Sequence, residues 1–451
     1  MPPHPIQTTW DHDLTGGNPL GWPEYSPPAE ESVSTGRTSH YAFIEGRFDV
    51  LGGSMGAVHG ERVVRAYRRA IDERLPVVVL SASGGARMQE GMISLIQMAR
   101  TAGSAREHAG NGLLSLAIHR GPVTGGVLAS YASLVDVAAA RPGAVIGFAG
   151  PRVVELTTGE RLPESSHTAE SAYEHGLIDA LVAEGEEAAW IDAVLGRNDQ
   201  ATLTHDFSQP PDPLDAVGAW GEVHRARARR RMSGKGWAEQ ICTGWVELRS
   251  TDPTVRAGLA TPLHHSRVVV IANDRHAGDG HPNAAGFRLA QRAIALAARL
   301  SLPLLTLVDT PGADPGAASE ADGLAREIAS TFAAMDALPT PSVAVCVGEG
   351  GSGGALALAY ADRLLMLEHA IFSVISPEGA AAILEREVSK APELAARLRL
   401  TSADLLDLAV IDEVVPEVRS SLSARVNAAL DAARPGDRRR RFDAATIRWL
   451  G

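Results

Sequence analysis

The residues of this chain best suited to chemistry carry no side chain. The apolar run Leu75–Leu80 ends in Ser81-Ala82-Ser83-Gly84-Gly85-Ala86-Arg87, and a second pair, Gly125-Gly126, precedes "VLASYASLVDVAAA". A third pair, Gly353-Gly354, precedes "ALALAYADRLLML", and Gly312 follows the apolar run Leu302–Val308. Glycines leave backbone N–H groups open to a ligand. A helix start adds unpaired N–H groups and partial positive charge. A strand-end glycine, at Gly84-Gly85 or Gly312, supplies another N–H from the opposite side. Two N–H groups converging on one oxygen form an oxyanion hole, which stabilises an enolate by roughly 3 kcal/mol per donor. The pattern predicts two such holes.

Other chemistries are excluded by what is missing. No Lys-Ser/Thr follows the glycines, as a phosphate-cradling loop requires, and neither a Gly-x-Ser-x-Gly elbow nor a His-Glu-x-x-His zinc motif occurs. The His-rich stretch "DRHAGDGHP" (274–282) has the spacing of a loop and not of a metal site, so no metal is expected. Cys242 and Cys346, the only cysteines, sit in apolar contexts and read as small buried hydrophobes. A net charge of −12 argues against a nucleic-acid partner. No apolar run is long enough for a membrane span and the N-terminus does not read as a signal peptide, so a cytoplasmic protein is expected. Oxyanion holes without an evident nucleophile or base point to chemistry whose base comes from substrate or cofactor.

The elements that must position these glycines occur twice. "LPVVVLSASGGAR" (75–87), "GPVTGGVLASYA" (121–132), "IGFAGPRVVE" (146–155) and "GLIDALV" (176–182) recur in order as "LPLLTLVDTPGAD" (302–314), "GEGGSGGALALAYA" (348–361), "FSVISPEGAAAIL" (372–384) and "AVIDEVV" (409–415). Leu75 lies 227 positions before Leu302, Gly125 228 before Gly353 and Asp179 233 before Asp412. The chain reads as a tandem duplication. Within each copy short Val/Ile/Leu strands alternate with amphipathic helices, one marked by Val63, Val64, Tyr67 and Ile71 and its counterpart by Leu289, Ala293, Leu296 and Ala297. The fold class is α/β with strands covered on both faces. The boundaries expected are an extended arm at 1–35, a first domain at 36–195, a linker and helical segment at 196–239, and a second domain at 240–451. Two basic runs, "HRARARRR" (224–231) and "RRRR" (438–441), read as a candidate contact for acidic groups and as a solvated face, respectively.

The longer motifs resemble a known family. "GGSMGAVHGERVVRA", "SASGGARMQEGMISLIQMART", "GPVTGGV" and "IGFAGPRVVE" resemble the β subunit of bacterial acetyl-CoA carboxylase carboxyltransferase. "WVELRSTDPTVRAGLA", "VDTPGADPG", "VGEGGSGGALALA" and "SVISPEGAAAIL" resemble its α subunit, so the chain looks like a β–α fusion. The resemblance implies a crotonase-like fold in each half, a spiral of strand–strand–helix units. It also implies transfer of a carboxyl group from N-carboxybiotin, on a separate carrier protein, to the α-carbon of an acyl-CoA, giving a malonyl thioester as in fatty acid biosynthesis. By the match, Gly84, Gly85, Gly125 and Gly126 form the hole for the thioester oxygen, with Gly52, Gly53, Ser54, Met55, Gly56, Ala86 and Arg87 binding substrate. Gly353 and Gly354 form the hole for the biotin ureido oxygen, with Gly312, Ala313, Gly350, Gly351, Ser376, Pro377, Glu378 and Gly379 on the biotin side. The implied partners are a biotin carboxyl carrier protein, a biotin carboxylase and further copies of the chain, as a homodimer or higher oligomer. The alternative function is a biotin-independent decarboxylase or another crotonase-type enzyme acting on an acyl thioester. The sequence departs from the family in lacking a cysteine-rich zinc ribbon before residue 40, in carrying Asn273-Asp274-Arg275-His276 where His-Gln-Lys-Gly is usual, and in placing Asp314 where an aromatic is usual.

Overall fold

The computed structural model describes residues 1–151, 154–155, 161–163, 165–197, 208 and 217–447. It divides into two compact units, Met1–Asn198 and Asp199–Gly451.

The first unit is built on one mixed sheet. Its strands are β1 (Thr8–Trp10), β2 (Val33–Arg37), β3 (Ala42–Gly46), β4 (Val77–Ser83), β5 (Ser115–Thr124), β6 (Val137–Ala140), β7 (Ile146–Gly147) and β8 (Ala180–Leu181). They are ordered β1-β2-β3-β4-β5-β6-β8, with β7 also on β5. The second unit repeats this plan with β9 (Cys242–Leu248), β10 (Val255–Pro262), β11 (Val268–Asn273), β12 (Leu304–Thr310), β13 (Ser342–Gly351), β14 (Arg363–Leu367), β15 (Ile371–Ser373) and β16 (Glu413–Val415). Their order is β9-β10-β11-β12-β13-β14-β16, with β15 on β13. In each sheet the first three strands pair antiparallel and the rest parallel. The central strands Val77–Leu80 and Leu304–Val308 are buried along their length, as continuous apolar runs require. Helix α1 (Ala57–Asp72) buries Val63, Val64 and Tyr67 and half-buries Ile71, and α2 (Ala284–Leu300) buries Leu289, Ala293, Leu296 and Ala297, close to the faces their periodicity predicts. The fold is thus a tandem α/β duplication, as expected.

Three expectations gain detail. The extended arm at 1–35 is docked: Thr8–Trp10 forms edge strand β1 on β2, and Trp10, Tyr25, Glu31 and Ser32 are buried. The arm's few apolar side chains leave no period to read: Trp10 and Val33 join the core, while Leu20 and Trp22 stay exposed. The segments after the paired glycines are half the expected length as helices. Gly125–Val127 runs into a π-turn, Leu128–Ala132, and Val137–Ala140 then pairs with β5 as a strand. In the second unit helix α3 (Ser352–Ala359) likewise gives way to β14. Strands rich in the helix formers Ala and Leu read as helix until the parallel ladder claims them.

The basic runs are also mostly structural. In helix α4 (Asp437–Ile447) Arg438 is buried on Asp362, Arg441 bonds Asp412 at 2.9 Å, and Arg439 and Arg440 pair with Asp336 and Asp437. Positions i and i+3 share a helix face, so the run docks by one side. In the first run Arg227 pairs with Glu349 and Glu378, and Arg231 with Glu417, while Arg229 is exposed. Of the linker and helical segment expected at 196–239, residues 198–207 and 209–216 lie outside the described residues, as do Arg152 and Val153. Among the described residues no helix is long and apolar enough to cross a membrane.

Candidate active site

A bulge places the glycines in both units. β4 and β5 pair at Ser81↔His119 and again at Ser83↔Val123, so β5 carries two extra residues between them. β12 and β13 pair at Val308↔Cys346 and Thr310↔Gly350, the same irregularity at the same place. A bulge bends its strand and re-aims the residues beyond it. Here the turn after the fourth strand of each unit meets the first helical turn after the fifth.

In the first unit the meeting is backbone on backbone. Gly85 holds φ +111°, and a Cβ there would lie 3.3 Å from Gly125 Cα and Gly126 N. Several of the expected donors are already used. Gly84 N–H donates to Gly52 O at 2.8 Å, Gly85 N–H to Ser83 Oγ at 3.0 Å and Gly125 N–H to Phe148 O at 2.7 Å. The hydroxyl two residues before Gly85 caps it as a turn of this kind does. The N–H groups of Ala86 and Gly126 have no partner among the described residues. A Cβ on Gly126 would lie 3.5 Å from Ala86 Cβ, so these two residues are neighbours. The donor pair is therefore Ala86 with Gly126, one residue beyond the glycines expected on the strand side.

The second unit repeats the scheme. Gly312 holds φ +131°, and its N–H donates to Thr310 Oγ1 at 3.1 Å. Ala313 N–H has no partner among the described residues, and Asp314 N–H donates to Pro282 O. Gly353 and Gly354 stand in the first turn of α3, where N–H groups lack helical acceptors. A Cβ on Gly354 would fall 2.8 Å from Ala313 N. The second donor set is Ala313 with Gly353 and Gly354, and Gly312 shapes the turn without donating into it.

Most of the other expected ligand contacts turn out to support these turns. Gly53 O accepts from Ser83 Oγ, Met55 N–H donates to Gly85 O at 2.7 Å, and Arg87 N–H donates to Met55 O at 2.9 Å. Ser54 O accepts from Arg87 Nη2 and from Ser32 Oγ. Gly56 is buried where a Cβ would strike Glu90 and Arg87. Arg87 is 1% exposed, paired with Glu31 and with Glu90 at 2.9 Å, and bonded to Tyr25. It braces the turn, with its guanidinium enclosed among these partners. Burial alone would raise Glu31, yet the Arg87 hydrogen bond and charge hold it below the ordinary carboxylate range. His59 links this network to the π-turn, bonding Ser32 Oγ at 2.8 Å and Tyr131 OH at 2.9 Å, and burial lowers its pKa to about 3.

On the other unit Gly350 and Gly351 serve close packing: a Cβ would lie 2.3 Å from the Phe372 ring and 1.9 Å from Pro311 O. Ser376 caps the helix Pro377–Leu384 by accepting from Gly379 N–H at 3.1 Å, and Glu378 pairs with Arg227 at 2.7 Å. The His-rich loop is a brace: His281 Nδ1 bonds Gly312 O at 2.9 Å and His276 Nε2 bonds Arg231 O at 2.7 Å. No group of three His, Cys, Asp or Glu side chains that could hold a metal occurs among the described residues. Asp314 turns away to accept from Gly316 N–H and Ser319 Oγ. Cys242 and Cys346 are buried, which raises both thiols, Cys242 to about 12.

Sequence reasoning named Ala86 and Ala313 but gave the strand-side donors to the neighbouring glycines, and it missed Ser83 and Thr310, although Ser/Thr-x-Gly-Ala is legible in both copies. Beside the first donor pair a cavity of about 280 Å³ is lined by Leu128, Ala129, Ser130, Ser133, Leu134 and Phe148. Phe148 is 72% exposed and its counterpart Val374, three residues after β15 begins, 74%. Each donor set thus has an uncovered apolar residue at its rim.

Comparison with known proteins agrees with this duplicated plan. The family described as "Carboxyl transferase domain" matches residues 35–215, and that described as "Acetyl co-enzyme A carboxylase carboxyltransferase-like" matches residues 211–434. The chain is 44% identical over 411 residues to "Acetyl-coenzyme A carboxylase carboxyl transferase subunits beta/alpha" of Salinispora tropica, covering 86% of this chain and 73% of the relative. It is 38% identical over 411 residues to the "Probable biotin-dependent acyl-coenzyme A carboxylase beta3 subunit" of Mycobacterium tuberculosis, covering 89% and 83%. The solved transcarboxylase 12S, with methylmalonyl-coenzyme A bound, superposes with a TM-score of 0.75 at 21% identity over 92% of this chain and 84% of that one. A single-chain, multi-domain long-chain acyl-CoA carboxylase gives 0.73 at 18% identity, over 94% and 44%. Those two likenesses carry the fold, and the sequence identities carry the kinship: the chain belongs to the acetyl-CoA carboxylase carboxyltransferase family, with its β-like and α-like halves in one polypeptide.

Proposed function

We propose that this protein moves a carboxyl group from N-carboxybiotin, presented by a carrier protein, to the α-carbon of an acyl-CoA. The observation that carries the reading is the duplicated set of unpartnered backbone amides, Ala86 with Gly126 and Ala313 with Gly353 and Gly354. Each set suits an oxygen that gains negative charge, because amide donors held by a rigid turn need no reorganisation as the charge grows. In this reading Ala86 and Gly126 hold the thioester oxygen, and Ala313, Gly353 and Gly354 hold the ureido oxygen. Carboxybiotin, when bound, supplies the carboxyl group and the base for the α-proton. The chain orients the two oxygens and lowers the energy of the enolate on the acyl side.

The cavity beside Gly126 is small and apolar, which supports a short acyl chain. The exposed Phe148 and Val374, with Met88, Met92, Ile383 and Leu384 also exposed, support burial against further copies of the chain. A cytoplasmic carboxylase with separate biotin carboxylase and carrier subunits completes the reading.

The test is decarboxylation of malonyl-CoA or methylmalonyl-CoA by the purified protein, with and without free biotin. Turnover that requires biotin is the expected result. Turnover independent of biotin would assign a decarboxylase, and no turnover with any acyl-CoA supplied would overturn the reading.

A further inference from the structure

Both units carry the same bulge, but they satisfy its backbone differently. Glu349, the last bulged residue of β13, donates its N–H to Asp309 Oδ1 at 3.0 Å. In the first unit the equivalent residue is Pro122, which has no N–H, and the residue opposite is Ala82, which has no acceptor. A buried carboxylate thus stands in the second unit where the first needs none.

Asp309 is 0% exposed, and a Cβ on Gly348 would lie 2.2 Å from its Oδ1, so the carboxylate fills the space beneath the bulge. Oδ1 also accepts from Arg275 Nη1 at 3.1 Å, and Asn273 Oδ1 accepts the Asp309 N–H at 3.2 Å. Oδ2 has no hydrogen-bond partner among the described residues. Arg275 also donates to Ala226 O, and Arg227 bonds Glu349 and Glu378. The bulge, the loop at 274–276 and the Ser376–Gly379 turn therefore form one braced assembly.

We propose that Asp309 is a positioning residue for the second donor set: its ionised carboxylate, accepting from the Glu349 N–H and Arg275, holds the bulge that brings Gly353 and Gly354 to Ala313, and protonation removes that charged acceptor from this side of the site only. The role rests on the reading of this set as the biotin side. The groups facing Asp309 are Arg275, Arg231 and Glu349, with the Cys346 thiol beneath. Burial raises the Asp309 carboxyl to about 6, Arg275 acting in the other direction. The sign separates this effect from acid unfolding. A carboxyl whose folded-state pKa is raised favours the folded state at low pH, and its contribution to stability declines as pH rises from its ordinary value to about 6. Activity is lost on acidification while this group's contribution to stability grows.

The experiment follows biotin-dependent decarboxylation of methylmalonyl-CoA from pH 5 to 8 in wild type and Asp309→Asn. Wild type is expected to lose kcat/KM for biotin about tenfold per pH unit below about 6, with KM for acyl-CoA unchanged. Asp309→Asn should show a lower plateau, down about tenfold, with that limb gone. In parallel, amide exchange of β13, corrected for intrinsic rates, should slow in wild type as pH falls through 6, because protonation relieves the buried charge, while β5 does not change. Because Asp309→Ala alone can misfold, the double variant Asp309→Ala/Glu349→Pro copies Ala82 with Pro122 and should recover part of the lost stability. An acid limb retained in Asp309→Asn, or exchange of β13 indifferent to pH, would overturn the proposal. Absence of biotin-dependent turnover in wild type would instead sink the functional reading, and the exchange result would still decide the role of Asp309.

Discussion

Gly125 and Ser352 hold the same left-handed backbone, φ +56° and +59°, at the first position of equivalent helical turns. Such a conformation costs a residue with a Cβ roughly 1 kcal/mol or more. Ser352 is exposed and can bear this strain, whereas a Cβ on Gly125 would lie 3.1 Å from Gly85 Cα. Ser352→Gly is therefore expected to raise the unfolding midpoint, by about 0.5 kcal/mol after the extra freedom of the unfolded chain is counted. Gly125→Ser, which merely copies the second unit, should destabilise the protein and depress kcat, because backbone cannot yield. Urea unfolding and steady-state kinetics on the two variants check both statements.

Gly354 offers a sharper dissection of the two donor sets. Its missing Cβ would stand 2.8 Å from Ala313 N, whereas a Cβ on Gly126 would meet the flexible Met98 side chain at 3.2 Å. Gly354→Ala should move Ala313 away from its oxygen and cost 10²–10³-fold in kcat, the effect of losing about one oxyanion donor. KM for acyl-CoA should stay within about twofold of wild type, since that pair lies in the other unit. Gly126→Ala should fold normally and lower kcat/KM for acyl-CoA by a smaller factor. Reversal of this order would show that the donors have been assigned to the wrong oxygens.

The duplication, the α/β class and the glycine turns were all legible in the sequence, because apolar runs and glycines are read directly from composition and spacing. The donors were less so. Aligning Gly125 with Gly353 is natural by letter, yet the ladder partners Ser83↔Val123 and Thr310↔Gly350 set Gly125 against Ser352. A serine at a left-handed position looks like an insertion until its φ is known. The hydroxyls of Ser83 and Thr310 divert the Gly85 and Gly312 amides for the same reason: a local side-chain acceptor two residues away competes for an N–H that spacing alone leaves free. The docked arginines were hidden because a charge run says nothing of the Asp362 or Glu349 that folding brings to it.

Acid should weaken the first unit through His59. Its folded-state pKa, about 3, lies below the unfolded value near 6.5, so the unfolded chain binds the proton more tightly. The stability it permits is present above about pH 6.5 and is lost as pH falls toward 3, by about 2 kcal/mol at pH 5. His119, lowered to about 4 by burial, acts in the same sense. Asp309 acts in the opposite sense below about pH 6, so the variant and not the wild-type slope isolates the effect. His59→Gln should be less stable at pH 7 but show a shallower fall in Tm between pH 7 and 5. An unchanged slope would mean that His59 is not held neutral.

Arg87 separates a substrate contact from a structural one. A residue that binds acyl-CoA through an exposed guanidinium would, on substitution, raise KM and leave the fold alone. Arg87 is instead enclosed, with Glu31, Glu90, Tyr25 and Ser54 as partners. Arg87→Met would strand two buried carboxylates, which typically costs 3–5 kcal/mol. Lysine would not restore the bonds, because a single ammonium cannot serve partners on both sides as the planar fork does. Both variants should therefore unfold at lower urea with similar losses, and whatever fraction stays folded should keep the wild-type KM for acyl-CoA. The triple change Arg87→Met/Glu31→Gln/Glu90→Gln, which removes the stranded charges with the cation, should recover a good part of the loss. A raised KM with undiminished stability in Arg87→Lys would return the residue to the substrate.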